Sequence, residues 1–205
     1  TDVTFTVLAK DAGNVGVANQ QVRVTASSGS LVLDAQATDA AGKITGKLST
    51  LGDPSNRDIT LVATSGAASA SNVVSVNGTT IQVSGTNSLV FGNSTDLQIN
   101  VKDSGGNGVD KAGVTISSQL GNSLGAQSIK TDSAGQAKVS VKGAVAGTDT
   151  ITLTSLGVSK TFSLSVSSSN FQFVSPSTNA SINIGTSIPV SIKWEEGGVP
   201  QVGKT

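Results

Sequence analysis

Apolar and polar residues alternate along many short stretches of this chain. In the stretches 3–9 and 97–101, for example, every second residue is apolar. On a β-strand this alternation places the apolar side chains on one face and the others on the opposite face. Segments rich in Gly, Asn or Asp separate the stretches, and none shows the 3.6-residue apolar period of a helix. The pattern predicts an all-β chain of short strands packed as β-sandwiches.

Short motifs recur along the chain at a nearly constant offset. Asp11 and Asp103, 92 positions apart (103 − 11), each follow a Lys and precede a Gly-containing segment. The motif Thr-Asp-x-x-Gly begins at Thr38 and again 93 positions later (131 − 38) at Thr131. Because separate anchors share one order and one period, the sequence indicates a tandem repeat. A weaker third copy is expected from the stretch 187–193, which aligns with 96–102.

The repeat predicts three modules along the chain. The first covers residues 1–77 and lacks its first strand, and the second, 78–168, is complete. The third begins at residue 169 and is truncated at residue 205. Since connectors of a few residues limit how far neighbouring modules can swing, we expect the modules to be arranged as an elongated rod.

Two turns are predicted from the Thr-Asp-x-x-Gly motif, one with Asp39 and Gly42 and one with Asp132 and Gly135. An Asp side chain accepts hydrogen bonds from amides two or three residues further on, and Gly adopts a positive φ without steric cost. We expect each turn to join the two strands of a hairpin and to fix their register.

Composition excludes several kinds of chemistry. The chain has no Cys and no His, which excludes disulfides, thiolate metal sites and a Ser-His-Asp triad. Its 13 basic and 13 acidic residues give zero net charge, so no nucleic-acid partner is expected. No apolar run reaches the roughly 18 to 20 residues of a membrane-spanning helix. We therefore expect neither an enzyme nor a direct membrane span.

A calcium site is one alternative for the loop that holds Asp103, Asn107 and Asp110. Their side chains offer the oxygen ligands that calcium prefers. Asx-rich loops also have an ordinary structural use, which is the favoured interpretation. No other metal and no cofactor is expected.

Near the end of the chain, Glu195 and Glu196 are the only glutamates and Trp194 is the only tryptophan. Adjacent carboxylates on a strand point to opposite faces, so a solvated loop after a strand is favoured over glycoside hydrolysis. Trp194 is in phase with the apolar residues before it, which favours a core or rim position over a sugar-stacking platform.

The motif Thr38–Ile44 and its repeat Thr131–Ala137 resemble the hallmark turn of bacterial immunoglobulin-like group 1 domains. Asp11–Asn14 and Asp103–Val109, each followed by a short strand, resemble the early loop of the same family. The resemblance covers nearly the whole chain. It implies tandem immunoglobulin-like β-sandwich domains of the kind that form the stalks of invasin- and intimin-type adhesins.

What the resemblance implies for function is a structural stalk or spacer that presents a distal binding domain. The location would be the bacterial cell surface, with an outer-membrane anchor in a part of the protein outside these 205 residues. Neighbouring modules of the same chain are the implied partners. Two alternatives remain open: a module that binds a host surface protein or glycan, and an accessory module of a secreted enzyme or surface-layer protein.

Overall fold

The computed structural model describes residues 2–203, and every regular element in this range is a β-strand. The all-β prediction is therefore confirmed. The described residues contain no helix of the length and apolarity needed to cross a membrane. Two compact units are distinguished, Thr1–Thr79 and Thr80–Thr205.

Within residues 2–203, the first unit contains six strands and the second contains twelve. Those of the first unit are β1 (Val3–Leu8), β2 (Arg23–Ala26), β3 (Ser30–Leu33), β4 (Lys43–Ser49), β5 (Arg57–Ser65) and β6 (Ala68–Val76). The second unit begins with β7 (Thr80–Ser84), β8 (Ser88–Val90), β9 (Ser94–Lys102), β10 (Gly113–Ser118), β11 (Ser123–Leu124), β12 (Ser128–Lys130), β13 (Gln136–Lys142), β14 (Gly147–Ser155) and β15 (Val158–Ser167). It continues with β16 (Ser169–Ser175), β17 (Ser191–Glu196) and β18 (Val199–Pro200).

Strands β7 to β15 of the second unit form a two-sheet sandwich. One sheet has the order β7-β9-β13-β11, and the other has the order β12-β10-β14-β15-β8. In sheet order, the first sheet corresponds to strands A, B, E and D of an immunoglobulin domain, and β10, β14 and β15 correspond to C, F and G. Paired strands are antiparallel except β8, which runs parallel to β15 at the sheet edge. This arrangement confirms the immunoglobulin-like fold class.

Alternate residues of the facing strands fill the core of this sandwich. On β9, Leu97, Ile99 and Val101 are at most 2% exposed, whereas the intervening Gln98 is exposed. The facing sheet contributes Val114, Ile116, Ile151, Leu153, Leu164 and Val166 to the same cluster. Each fully buried aliphatic side chain of this kind contributes about 1.5–3 kcal/mol, so the alternation seen in the sequence is what holds the two sheets together.

The first unit repeats the central part of this sandwich. Its sheets have the orders β1-β4-β3 and β2-β5-β6, the counterparts of β9-β13-β11 and β10-β14-β15. The register is also repeated, because Thr6 lies opposite Thr45 and, at offsets of 92 and 93 positions, Gln98 lies opposite Lys138. Within the described residues of this unit, no strand corresponds to β7, so β1 is an edge strand.

The residues after 168 form a separate sheet with the order β16-β17-β18. In the sequence, the alternation of the predicted third copy starts near Ile188. Strand β17 begins only at Ser191, so the first part of that alternation lies before the strand. Trp194 is paired with Phe171 across the sheet, and the two are 37% and 68% exposed. Trp194 therefore does not occupy a core position. The division into modules at 77/78 and 168/169 stays a prediction.

Candidate functional site

Four loops of the chain share one hydrogen-bonding pattern. In each, Oδ1 of an Asp accepts hydrogen bonds of 2.8–2.9 Å from the amides two and four residues further on. The residue three positions after the Asp has a positive φ, and its amide donates to the carbonyl oxygen of the Asp. The loops begin at Asp11, Asp39, Asp103 and Asp132. Each unit thus contains this loop twice. The residues predicted for the Thr-Asp-x-x-Gly turn form the second of the two loops in each unit.

The turn at Asp132–Gly135 does not join the strands of a hairpin, so that expectation is wrong. The preceding strand β12 pairs with β10, whereas the following strand β13 pairs with β9 and β11 in the other sheet. The turn therefore carries the chain from one sheet to the other. In the first unit, Ala37 before the turn bridges to Gln21 near β2, and β4 after it pairs with β1. The motif marks a crossing between sheets.

In each unit, the two loops meet through their glycine backbones. A Cβ on Gly135 would lie 2.4 Å from the carbonyl oxygen of Val101 and 2.6 Å from Cα of Gly108. In the first unit, a Cβ on Gly42 would lie 2.7 Å from Cα of Gly16. No side chain fits at these positions, because real Cβ atoms do not approach other atoms so closely. We call this contact between the early loop and the Thr-Asp-x-x-Gly turn the corner.

A buried threonine hydroxyl completes each corner. Thr131 Oγ1 donates to the carbonyl oxygen of Val109 at 2.6 Å and accepts from the amide of Ala112 at 2.9 Å. In the first unit, Thr38 Oγ1 donates to Val17 O at 2.7 Å and accepts from the amide of Gln20 at 3.0 Å. The hydroxyl thereby joins the segment after the early loop to the strand before the turn. The motif included both threonines, but the sequence pattern assigned no role to them.

The loop considered for calcium is held by its own hydrogen bonds. Asp103 Oδ1 accepts from the amides of Gly105 and Asn107, and Oδ2 lies 3.3 Å from Asn107 Nδ2. These bonds, led by that from the Asn107 amide, hold the pKa of Asp103 below its usual value. Asp110 lies 3.6 Å from Lys111 Nζ instead. Between residues 2 and 203, no group of three or more His, Cys, Asp or Glu side chains is placed to hold a metal ion.

A buried carboxylate lies at another point of the second unit, in a position that the sequence analysis missed. Asp149 on β14 is fully buried and accepts hydrogen bonds from Ser118 Oγ at 2.5 Å, the Leu120 amide at 2.8 Å and Asn122 Nδ2 at 2.9 Å. Burial raises the pKa of Asp149, but these donors outweigh burial and hold the pKa below its usual value. The available signal was that Asp149 is in phase with Ile151 and Leu153, on the apolar side of the strand.

The Asp149 network extends to a second loop through Asn122. Asn122 Oδ1 accepts from the amides of Ala144 and Val145 at 2.8 and 2.9 Å. One buried carboxylate and one buried amide therefore tie the loop after β10 to the loop between β13 and β14. Because burial and protein donors enclose the Asp149 carboxylate, the arrangement stabilises structure and leaves no acceptor site for a substrate.

The two glutamate side chains, Glu195 and Glu196, form an ion pair and hydrogen bonds with different residues. Glu195 Oε1 lies 2.8 Å from Lys193 Nζ, and its Oε2 accepts from Asn170 Nδ2 at 3.1 Å. Glu196 accepts from the hydroxyls of Ser168 and Ser169. These interactions, led by Lys193 for Glu195 and by Ser168 for Glu196, lower the pKa of both carboxyl groups. Both residues lie on strand β17, so the expected loop position is wrong, but the predicted orientation to opposite sides is observed.

Comparisons with known proteins give similarities only among solved structures. No family model matches the chain, and no curated protein matches it. The adhesin InvE of Yersinia pseudotuberculosis is 18% identical, with a TM-score of 0.46 over 82% of this chain and 55% of that structure. The chain thus spans about half of the solved InvE chain.

Two further structures have similar values. The D0-D1 domain of intimin is 21% identical, with a TM-score of 0.35 over 80% of this chain and 90% of that chain. Domains 5-6 of the S-layer protein SbsC are 20% identical, with a TM-score of 0.32 over 81% of this chain and 89% of that one. These proteins are what the chain is similar to.

Proposed function

We propose that this chain is a set of structural spacer modules in an extracellular bacterial surface adhesin. The modules hold a distal binding domain away from the cell, and the protein is anchored in the outer membrane through a region outside these residues. The observation that carries the proposal is the corner, which is built twice with the same hydrogen bonds and the same glycine contact. A spacer requires a repeated unit whose loops are held in place.

The buried side chains of Thr38, Thr131 and Asp149 support this proposal because they stabilise the fold. Thr38, Thr131 and Asp149 are all at most 4% exposed, and their oxygen atoms bond to backbone or side-chain groups of their own unit. A ten-residue strand such as β15 spans about 33 Å at 3.3 Å per residue. Each module of this size adds reach to whatever it carries.

The last residue of the first unit is also held by its own unit. Asn56 Oδ1 accepts from the Thr79 amide at 3.1 Å, and Asn56 Nδ2 donates to the Thr79 carbonyl oxygen at 3.3 Å. Thr79 Oγ1 donates to the carbonyl oxygen of Pro54, and Thr79 is only 5% exposed. The chain therefore leaves the first unit from a fixed point, as a spacer requires.

A second candidate is a module that binds a host surface protein or glycan. The observation that favours it is a row of exposed aromatic residues on one sheet, Phe171, Phe173 and Trp194, which are 68%, 66% and 37% exposed. Aromatic side chains are common anchors of binding interfaces. On this interpretation, the identity of the surface, and not only the length of the module, determines adhesion.

One replacement experiment separates the two candidates. In the surface protein that carries this chain, residues 80–168 are replaced by an unrelated β-sandwich of equal strand length, and in a second variant they are deleted. The spacer proposal predicts that adhesion of the bacteria falls on deletion and returns with the unrelated sandwich. The matched control replaces Phe171, Phe173 and Trp194 with Ser. Loss of adhesion in that control would favour the binding candidate, and failure of the unrelated sandwich to restore adhesion would contradict the spacer proposal.

A further inference from the structure

Two asparagines of the chain directly precede a glycine, Asn77 before Gly78 and Asn107 before Gly108. Such a pair can react with itself, because the backbone nitrogen of the following residue can attack Cγ of the asparagine and displace ammonia. Glycine leaves this nitrogen accessible, since it carries no side chain beside it. The rate of the reaction therefore depends on how firmly the structure holds the asparagine side chain and the peptide group after it.

The structure holds Asn107 away from this reaction. Its Nδ2 lies 3.3 Å from Asp103 Oδ2, and its amide donates to Asp103 Oδ1 at 2.9 Å. The carbonyl oxygen of Asn107 accepts from the Asp103 amide at 2.9 Å, which fixes the peptide group between Asn107 and Gly108. Gly108 in turn packs against Ala134 and Gly135 at the corner. Ring closure between Asn107 and Gly108 would have to disrupt this loop.

Asn77 lies in a different environment. It is exposed, and it directly follows Val76, the last residue of β6. Within the described range 2–203, the Asn77 side chain and the Gly78 amide form no hydrogen bond. Gly78 has a φ of +116°, in the region that favours glycine. The next group that the fold holds is the amide of Thr79, so the side chain and the attacking nitrogen of this pair are free to approach each other.

We propose that Asn77-Gly78 is a site of spontaneous deamidation. The Gly78 nitrogen forms a bond to Asn77 Cγ and loses its proton, and the side-chain nitrogen leaves with that proton as ammonia. A five-membered succinimide ring remains, and water opens it. Cleavage of the bond from the ring nitrogen to Cγ gives aspartate. Cleavage of the bond from the ring nitrogen to the backbone carbonyl carbon gives isoaspartate, in which the main chain runs through Cβ and Cγ.

The products act on the point where the chain leaves the first unit. Thr79 is 5% exposed, and its amide donates to Asn56 Oδ1 at 3.1 Å. Aspartate adds a negative charge to a chain of zero net charge but keeps the backbone unchanged. Isoaspartate adds one backbone atom between Val76 and Thr79, which the hydrogen bonds of Thr79 have to accommodate. Deamidation therefore loosens this fixed point as the protein ages.

The test incubates the whole chain in a mildly alkaline buffer and follows both asparagines by peptide mass spectrometry, with aspartate and isoaspartate separated by chromatography. Asn77 is expected to be converted about tenfold or more faster than Asn107 in the folded chain. In urea, where the bonds of the Asp103 loop are lost, the two rates are expected to converge. Gly78→Ala is expected to slow conversion of Asn77. Equal rates in the folded chain, or faster conversion of Asn107, overturn the proposal.

A second arm measures hydrogen exchange of the Thr79 amide before and after incubation. Faster exchange in the incubated chain is expected, by about tenfold or more in the isoaspartate fraction. Asn77→Asp is the matched control, because it adds the charge without the extra backbone atom, and it is expected to leave exchange unchanged. Unchanged exchange in the isoaspartate fraction overturns the effect on Thr79, and equally fast exchange in Asn77→Asp overturns its assignment to the backbone.

Discussion

Gly108 packs against Gly135 so closely that a Cβ built on Gly108 would lie 2.6 Å from the Gly135 nitrogen and 2.1 Å from the neighbouring carbonyl oxygen of Ala134. The two residues belong to different loops, and the same contact joins Gly16 and Gly42 in the first unit. Since both members of each pair have no side chain, two loops approach at backbone distance. The corner is therefore a feature that both units share.

Gly135→Ala is expected to destabilise the second unit by about 2 kcal/mol or more, because the new methyl group overlaps backbone atoms that cannot move freely. Gly106→Ala is the matched control, since Gly106 also has a positive φ, +81°, but nothing lies within 4 Å of its Cβ position. The control is expected to cost about 1 kcal/mol, from backbone strain alone. Urea unfolding measures both values, and equal losses would show that the glycine contact contributes nothing.

Removing the hydroxyl of Thr131 is expected to loosen the corner without changing its shape. Thr131→Val leaves the Val109 carbonyl and the Ala112 amide without their partner, at a cost of about 1–3 kcal/mol. Thr131→Ser keeps the hydroxyl and is expected to recover most of this loss. The free energy of unfolding of the two variants decides the point, and a Ser variant as unstable as the Val variant would argue against a role of the hydroxyl.

Asp149 is expected to make the second unit sensitive to acid. Its pKa in the folded chain lies below its usual value, so the stabilisation is complete above the unfolded carboxyl pKa of about 3.9 and is lost as the pH falls through the folded pKa. Asp149→Asn removes this titration. It also places an amide against the donors of Leu120 and Asn122, which costs about 2 kcal/mol at neutral pH.

The measurement for Asp149 is the free energy of unfolding between neutral pH and about pH 3, which lies below the unfolded carboxyl pKa. The Asp149→Asn variant is expected to lose less stability over this range than the unmodified chain. Asp96→Asn serves as the control, because Asp96 lies in an exposed ion pair with Lys138 and is expected to change little. An Asp149→Asn variant with the full acid loss would contradict the assignment.

Calcium is expected to bind weakly or not at all to the loop at Asp103. Both carboxylate oxygens of Asp103 already face protein donors, and a calcium ion would have to displace them. Titration calorimetry of the whole chain is expected to show no heat at millimolar calcium. A saturable signal that disappears in Asp110→Asn would restore the metal interpretation of this loop.

Local patterns in the sequence were sufficient to predict buried strands such as β9 and the positions of the Thr-Asp-x-x-Gly turns. The alternation of Leu97, Ile99 and Val101 follows directly from the geometry of a strand with one buried face. The Asp and Gly positions of the loops follow from backbone preferences within five residues. For these features, the information lies within a short stretch of chain.

The remaining features depend on contacts between distant residues. Nothing near Asp132 indicates whether the next strand joins the same sheet or the other one, so the turn was interpreted as a hairpin. The contact of Gly108 with Gly135 spans 27 positions (135 − 108). Asp149 meets Ser118 across neighbouring strands of one sheet, and its donors cannot be identified from the residues beside it.

The most direct test of the account is a comparison of Gly42→Ala with Gly135→Ala in the whole chain by residue-resolved hydrogen exchange. If the same unit is built twice, each substitution speeds exchange in its own unit by about tenfold or more, and by similar factors in the two units. A substitution that leaves exchange unchanged in its own unit, while the other has its full effect, would show that the two corners are not equivalent and would contradict the account.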